Sequence, residues 1–350
     1  MAGRAVNTAL QADAEFRWGV VGPGKIAQRF AEAVSRLPNT RLQALHARNP
    51  ERAHAFAQRW QAAGAPAIHI APSLEALLAD PDVDAVYIAT PHSEHRDAVE
   101  AALLAGKPVL CEKPLVTNRA QAHHLSQLAH ERNTFLMEAL WTRFLPAYQQ
   151  LGEWLASGAI GTVQAMQSSF CFRADFDPSS RIFNSALAGG ALLDIGIYNL
   201  AMTRWVRQQA TGLSDEPVQI DVQGRLAPTG VDARVLGALH FTDGFSSQFV
   251  CAVDGSASNA LEIHGSHGWM RIPSNFWEGT RVELYRTGES PVLLDTPFHI
   301  NGFEGEIVEA RRCIRAGLVE SPQMTHADTL CVLGWMDTLR ARLGVVYPFD

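Results

Sequence analysis

From residue 16 to residue 139 the chain alternates short apolar runs with stretches whose apolar positions recur every three to four residues. FRWGVVG (16–22) predicts a strand, and KIAQRFAEAVSRL (25–37) sets Ile26, Phe30, Ala33, Val34 and Leu37 on one helical face. RLQALHA, AIHI, VDAVYIAT, PVLCEKP and TFLMEAL predict further strands. PERAHAFAQRWQ, SLEALLA, SEHRDAVEAALLA and NRAQAHHLSQLAHER predict the helices between them. Alternation at this spacing implies α/β architecture with a doubly wound parallel sheet, since parallel neighbours require right-handed crossovers.

The texture changes near residue 141. PAYQQLGEWLASGAIG reads as a helix closed by glycines. From about 218 to 295, period-two runs such as ARVLGALHF, FSSQFVCAV, ALEIHG and RVELYR are cut by Gly, Asp, Ser and Asn turns. Two helices, about 304–316 and 325–343, follow. The expected organisation is a lead over 1–15, a dinucleotide-binding domain over 16–140, and an α+β domain over 141–350 with an open, mostly antiparallel sheet.

The 350 residues are 47% hydrophobic and 19% charged, with net charge −7, a globular composition with ample core. Lys and Arg form no run, which argues against a nucleic-acid groove or an anionic membrane surface as partner. Cys111, Cys171, Cys251, Cys313 and Cys331 are odd in number and lack a CxxC pair, so they read as reduced thiols in a cytoplasmic protein. Residues 1–15 have no apolar h-region and read as a flexible lead, not a signal peptide. No uninterrupted apolar stretch is long enough to cross a bilayer.

Against this background GVVGPGKIAQRF gains meaning. Gly22-x-Gly24-x-x-Ala27 directly follows a strand and opens a helix. Gly22 permits the tight turn, Gly24 lets backbone approach a pyrophosphate, and Ala27 allows close packing. The helix N-terminus favours the phosphate charge. A tight turn with no ligand is the competing reading. The second strand ends in Arg48 and Asn49 rather than an acid. Arg48 suits a 2′-phosphate, so NADP (NADPH) is expected over NAD, unless Arg48 is a solvated loop residue. The missing acid also weakens an S-adenosylmethionine reading. ATPHSEH ends the fourth strand and puts Thr90, Pro91, His92 and His95 near a nicotinamide ribose. His92-x-x-His95 lacks a third ligand nearby, so no metal is expected. His264-x-x-His267 reads as a turn, and His123–His124 as surface or packing.

CEKP closes the fifth strand at the same sheet edge, delivering Glu112 and Lys113. An ammonium there can bond a cofactor ribose and a reacting oxygen, and a cation beside a hydroxyl assists proton removal. Pro114 fixes φ, and a cis Lys–Pro bond would aim Lys113 inward. A strand-end salt bridge is the alternative. In GGALLDIGIY, Asp194 and Tyr198 are spaced i, i+4 and share a helical face. A phenol near pKa 10 needs a cation such as Lys113 to serve as a base. Gly196 keeps the helix thin where substrate lies. A packed core Tyr and a helix-starting Asp remain open readings.

Gly22-Pro23-Gly24-Lys25-Ile26-Ala27, ATPHSEH, CEKPL, MEALWTRFLPA and GGALLDIGIY, in this order, resemble the glucose–fructose oxidoreductase / inositol dehydrogenase (Gfo/Idh/MocA) family. The likeness is strongest to its branch of dimeric trans-dihydrodiol dehydrogenases and NADP-dependent D-xylose dehydrogenases, and it runs from about residue 16 onward. It implies a Rossmann domain, an open-faced sheet domain, and an active site between them. Many members carry Asp-x-x-x-His where this chain has Asp194 and Tyr198, so Tyr198 becomes the expected acid/base in place of His. The resemblance implies that Pro23, Lys25, Ile26 and Glu112 belong to the cofactor set. Trp141 and Arg143 line the nicotinamide and substrate pocket by the same likeness, with a core Trp and a surface Arg as the competing reading. Arg181 and Trp277 are implied on the substrate side.

The function expected from all this is NADP(H)-dependent hydride transfer with a secondary alcohol or hemiacetal of a sugar or cyclic trans-diol. Lys113 and Tyr198 would handle the proton, and Asp194 would orient the site. The alternatives are imine or dicarbonyl reduction on the same fold, and a non-catalytic NADPH-sensing protein. A homodimer through the open sheet face is expected from the family.

Overall fold

A computed structural model describes residues 14–350, and the expected lead over 1–15 lies outside the described residues except for Ala14 and Glu15. The chain divides into two compact units. The first holds the residues up to Leu115, then His123–Ala139 and His299–His326. The second holds Val116–Ala122, Leu140–Phe298 and Ala327–Asp350.

In the first unit β1 (Phe16–Val21), β2 (Thr40–His46), β3 (His69–Ile70), β4 (Ala85–Ile88), β5 (Val109–Glu112) and β6 (Leu136–Ala139) form one sheet in the order 3-2-1-4-5-6. Every pairing is parallel. The crossovers are α1 (Lys25–Arg36), α2 (Pro50–Ala62), α3 (Leu74–Ala79), α4 (His95–Leu104) and α5 (Arg119–Glu131), whose first four residues belong to the second unit. A sheet covered on both faces needs nearly continuous apolar strands, and Val86, Tyr87, Ile88, Leu110 and Cys111 are all fully buried. Phe30 of α1 stacks flat on Tyr87, with centroids 3.8 Å apart. The strand order reverses between β1 and β4, so the loops after these two strands flank the switch point where such sheets bind ligands.

The second unit is built on an eight-stranded sheet: β7 (Val163–Cys171), β8 (Gln219–Leu226), β9 (Asp232–His240), β10 (Ser246–Ala252), β11 (Leu261–Gly265), β12 (Gly268–Ile272), β13 (Arg281–Arg286) and β14 (Val292–Asp295). Its order is 14-13-12-11-7-10-9-8, antiparallel except for the β7–β10 pair. Ser266 and His267 make the turn between β11 and β12. Before the sheet lies α6 (Pro146–Ala156), and α7 (Ile197–Thr211) packs on its inner face. There Asn199 Nδ2 donates to Ser168 Oγ at 2.8 Å, and the Thr203 and Ser247 hydroxyls meet at 2.6 Å. The run Ser185–Thr211 is long and apolar enough to span a membrane, contrary to the sequence expectation, but 89% of its most apolar window is buried in the protein. It is apolar all round because it is a core helix.

Two helices remain, α8 (Glu304–Arg315) and α9 (His326–Leu343). The expected second domain over 141–350 gives up His299–His326, including α8, to the first unit. Hydrogen bonds explain the return. Arg311 Nη1 donates to Thr40 Oγ1 at 2.7 Å and to the Pro38 carbonyl at 3.0 Å. Asn301 Nδ2 donates to the Arg29 carbonyl at 2.8 Å, and the Leu136 N–H to the Val319 carbonyl at 2.9 Å.

Candidate active site

In the first unit the β1–α1 turn is shaped by two different glycines. Gly22 has φ +90°, and a Cβ there would lie 2.9 Å from the Ala89 carbonyl oxygen. Only glycine fits both the backbone and the space. Gly24 has φ −76°, and the nearest atom to a Cβ there is 3.9 Å away. The protein itself therefore does not require Gly24 to lack a side chain. Gly24 is also the N-cap of α1, and no side chain caps that end. Bare N–H groups beside open space fit a dinucleotide pyrophosphate. Lys25 and Ile26 are exposed just beyond, while Ala27 is fully buried. Pro23 sits between the two glycines.

The loop after β4 lies against this turn. The Thr90 hydroxyl is buried with no hydrogen-bond partner among the described residues, an unsatisfied group that a ligand hydroxyl or amide would complete. Pro91 and His92 are half-buried. His95 is fully buried, with Nε2 2.9 Å from the Thr90 carbonyl and Nδ1 2.8 Å from the Pro114 carbonyl. Burial lowers its pKa, the two carbonyl contacts pull the other way, and Lys113 lowers it further. His95 therefore sits between the Thr90 loop and the CEKP segment, and in its neutral form donates its one N–H to one of the two carbonyls.

In CEKP the Lys113–Pro114 peptide is cis, and Lys113 is half-buried. Glu112, expected beside the cofactor, is turned into the core, where it accepts the Tyr87 hydroxyl at 2.5 Å. A buried phenol needs such an acceptor. Asn49, expected with Arg48 in the cofactor set, caps α2 by accepting the Arg52 N–H at 3.1 Å. Arg48 is exposed, and its guanidinium pairs with Glu94 at 2.8 Å. Burial raises the Glu94 carboxyl and the Arg48 charge opposes that rise.

The second unit gathers most of the remaining expected residues around Tyr198. A π-helical turn, Leu192–Gly196, leads into α7. Such an insertion is common where a helix carries function. Tyr198 is buried, and its oxygen accepts the Trp141 indole N–H at 3.2 Å. Asp194 is buried too, and Arg181 Nη1, whose side chain is 59% exposed, donates to it at 3.0 Å. Trp277 stacks on Phe170 with centroids 3.4 Å apart, and Phe170 in turn lies 5.6 Å from the Tyr198 ring. Phe298 packs 6.2 Å from Trp141. Two aromatics of this wall, Phe170 and Phe298, were missed from the sequence. Phe170 had a signal, as an inward position of a period-two strand, and Phe298 had none.

Arg143, two residues beyond Trp141, is tied to Asp328. Its Nη1 donates to Asp328 Oδ2 at 2.7 Å with a side chain only 3% exposed. Arg204 Nε and Gln208 Nε2 complete the acceptor side of Asp328 at 2.8 and 2.6 Å. Burial alone would raise the Asp328 carboxyl, yet Arg143 and Arg204 hold it below the ordinary carboxylate range. The role of Gly196 also differs from the expectation of a thin helix for substrate. A Cβ there would come within 2.8 Å of Cys251 Sγ, so the gap serves packing on β10.

Residues 16–140 match the Gfo/Idh/MocA profile described as an oxidoreductase family with an NAD-binding Rossmann fold, and residues 148–271 match the Gfo/Idh/MocA C-terminal domain. The chain belongs to the Gfo/Idh/MocA family. It is an NAD(P)-binding oxidoreductase of that family. Among its relatives is a trans-1,2-dihydrobenzene-1,2-diol dehydrogenase of Mus musculus, 35% identical over 344 residues, spanning 96% of this chain and 99% of that one. The Homo sapiens protein of the same name is likewise 35% identical, with the same coverage. Among solved structures, an aldose-aldose oxidoreductase from Caulobacter crescentus complexed with glycerol has TM-score 0.81 at 26% identity, covering 94% of this chain and 98% of that one. A 3-ketoreductase from Actinomadura kijaniata complexed with NADP and TDP-benzene has TM-score 0.78 at 27% identity, covering 93% and 97%.

Proposed function

We propose that this oxidoreductase is NADP(H)-linked and oxidises a secondary alcohol or hemiacetal of a sugar or cyclic trans-diol, or runs the reverse reduction. When bound, the nicotinamide supplies the hydride chemistry. The turn at Gly22–Gly24 and the α1 N-terminus would hold the pyrophosphate, Thr90 the nicotinamide ribose side, and Arg48 the 2′-phosphate. In this reading Tyr198 exchanges the proton of the reacting hydroxyl, and Lys113 stabilises negative charge on the substrate oxygen. Asp194, with Arg181 on it, orients a second hydroxyl.

The observation that carries the reading is the Trp141–Tyr198 hydrogen bond. The indole N–H is a donor only, so it is aimed at a phenolic oxygen that must accept. Such a donor stabilises charge on that oxygen as the proton leaves. The aromatic wall of Trp141, Phe170 and Trp277 beside Asp194 and Arg181 supports a ring-shaped polyol. The diol and aldose names of the relatives point the same way.

The test is steady-state turnover with NADP and NAD on pentoses, hexoses and cyclic diols. Tyr198→Phe and Lys113→Met are expected to lower kcat by about 10²- to 10⁴-fold with NADPH affinity nearly kept. Full turnover in both variants on the preferred substrate would overturn the acid–base assignment, and NADPH binding without turnover by the native protein would favour a sensor. Arg48→Ala is expected to weaken NADP by about tenfold or more and NAD little, since a charge-assisted contact is lost only for the phosphorylated cofactor. Equal loss of both would remove Arg48 from cofactor choice.

We also propose that the protein is a cytoplasmic homodimer joined through the outward face of the eight-stranded sheet. All five cysteines are free and buried, which suits a reducing compartment. The outward face carries Leu236 and Val250 side by side, and the stacked rings of Trp269 and Tyr285, 4.0 Å apart, with Arg271 over them.

A further inference from the structure

What holds the start of the Asp194–Tyr198 segment lies some forty positions away in the chain. Asp232, the first residue of β9, is completely buried. Its Oδ2 accepts the Leu192 N–H at 2.6 Å. Gly190 has φ +122°, and a Cβ there would run into the Asp232 carboxylate. Gly189 is equally confined. A Cβ on it would lie 2.6 Å from the Ile182 carbonyl oxygen, and its own carbonyl accepts the Tyr347 hydroxyl at 2.7 Å. The two glycines thus exist to let the chain turn beneath Asp232 and present its N–H groups to the carboxylate.

The same carboxylate is poorly satisfied elsewhere. Asp232 Oδ1 is buried and has no hydrogen-bond partner among the described residues. A buried carboxylate with an idle oxygen costs stability, and an amide or a hydroxyl would cap a helical turn more cheaply. Charge at the positive end of a helical segment has one clear physical effect, which is to hold that end firmly. The segment it holds is irregular. The π-helical turn at Leu192–Gly196 sets the angular offset of Asp194 from Tyr198.

We propose that Asp232 is a positioning residue of the reaction: its carboxylate anchors the Gly190–Leu192 turn and thereby fixes the directions of Asp194 and Tyr198. This rests on the reading of those two side chains as reactive groups. The groups that face Asp232 are Arg340 of α9, Tyr347 of the C-terminal segment and Cys251 of β10. Burial pushes the Asp232 carboxyl up to about 7, against the Leu192 N–H bond and the Arg340 charge.

The test compares Asp232→Asn and Asp232→Ala with Tyr198→Phe, using kinetics from about pH 5 to 9 and amide hydrogen exchange of the 190–198 peptide. Asp232→Asn keeps the shape and removes the charge. It is expected to lower kcat about tenfold and to leave KM and NADPH affinity within about twofold. Exchange across 190–198 is expected to quicken about tenfold. Asp232→Ala should do the same or more. Wild-type kcat in Asp232→Asn, or unchanged exchange across 190–198, would overturn the proposal. If Tyr198→Phe keeps full turnover, the acid–base reading falls, while exchange still decides whether Asp232 anchors the segment.

Discussion

Asp232 and Asp328 are both buried carboxyls of the second unit, and they answer burial in opposite ways. Asp328 accepts from Arg143, Arg204 and Gln208, so its charge is held despite desolvation. Asp232 accepts the Leu192 N–H and has only a more remote arginine, and burial wins. The consequence for stability has a definite sign. A carboxyl raised from 3.8 to about 7 keeps its proton in the folded state across a window where the unfolded chain has lost it. Folding then binds protons, and stability falls as pH rises from about 4 to about 7. The full effect is on the order of 4 kcal/mol, taking roughly 1.4 kcal/mol for each pH unit. Asp232→Asn should therefore melt higher than the wild type at about pH 8, with the difference shrinking toward pH 4. Thermal unfolding at the two pH values checks this, and an Asn variant less stable at both would contradict it. None of this was legible in the sequence, where Asp232 is one acid in the turn before a strand.

At the level of elements, the β1–α1 turn was readable because its chemistry is local. A strand, two glycines and a helix start sit within a dozen residues, and the requirement for each glycine follows from backbone geometry. The structure then separates the two. Gly22→Ala should cost roughly 1–3 kcal/mol of stability, from a positive φ and a carbonyl in the way. Gly24→Ala should leave the melting temperature nearly unchanged, because its φ is ordinary and the space beside it is open. It should nevertheless weaken NADPH, since a methyl group would occupy the pyrophosphate's approach. Calorimetric melting beside cofactor titration distinguishes the cases, and an intact NADPH affinity in Gly24→Ala would count against the phosphate assignment. The π-helical turn was not readable. Its sequence suits an ordinary helix equally well, and Gly196 within it packs against Cys251, a partner far along the chain. The same holds for Arg143, whose place among cofactor residues came from resemblance and whose ion pair depends on α9.

For the whole molecule, the alternation of strands and helices and its later change to period-two strands were enough to give the two sheets and their classes. Pairing order within the second sheet was not legible, because period two fixes which side a residue faces and not which strand lies beside it. That facing does expose a testable surface. Leu236, 48% exposed, lies opposite Val250 on the outward face. On the proposed dimer, Leu236→Glu should shift sedimentation toward the monomer, with the secondary structure kept. An unshifted dimer would place the interface elsewhere.

The return of residues 299–326 has a practical consequence. A gene fragment stopped after residue 140 would encode every motif by which dinucleotide binding is recognised, yet omit Asn301, Arg311 and Val319, which supply hydrogen bonds to Arg29, Thr40 and Leu136. The nucleotide half is a discontinuous body. Isolating it calls for splicing the two stretches through a short tether, and simple truncation should yield an insoluble product.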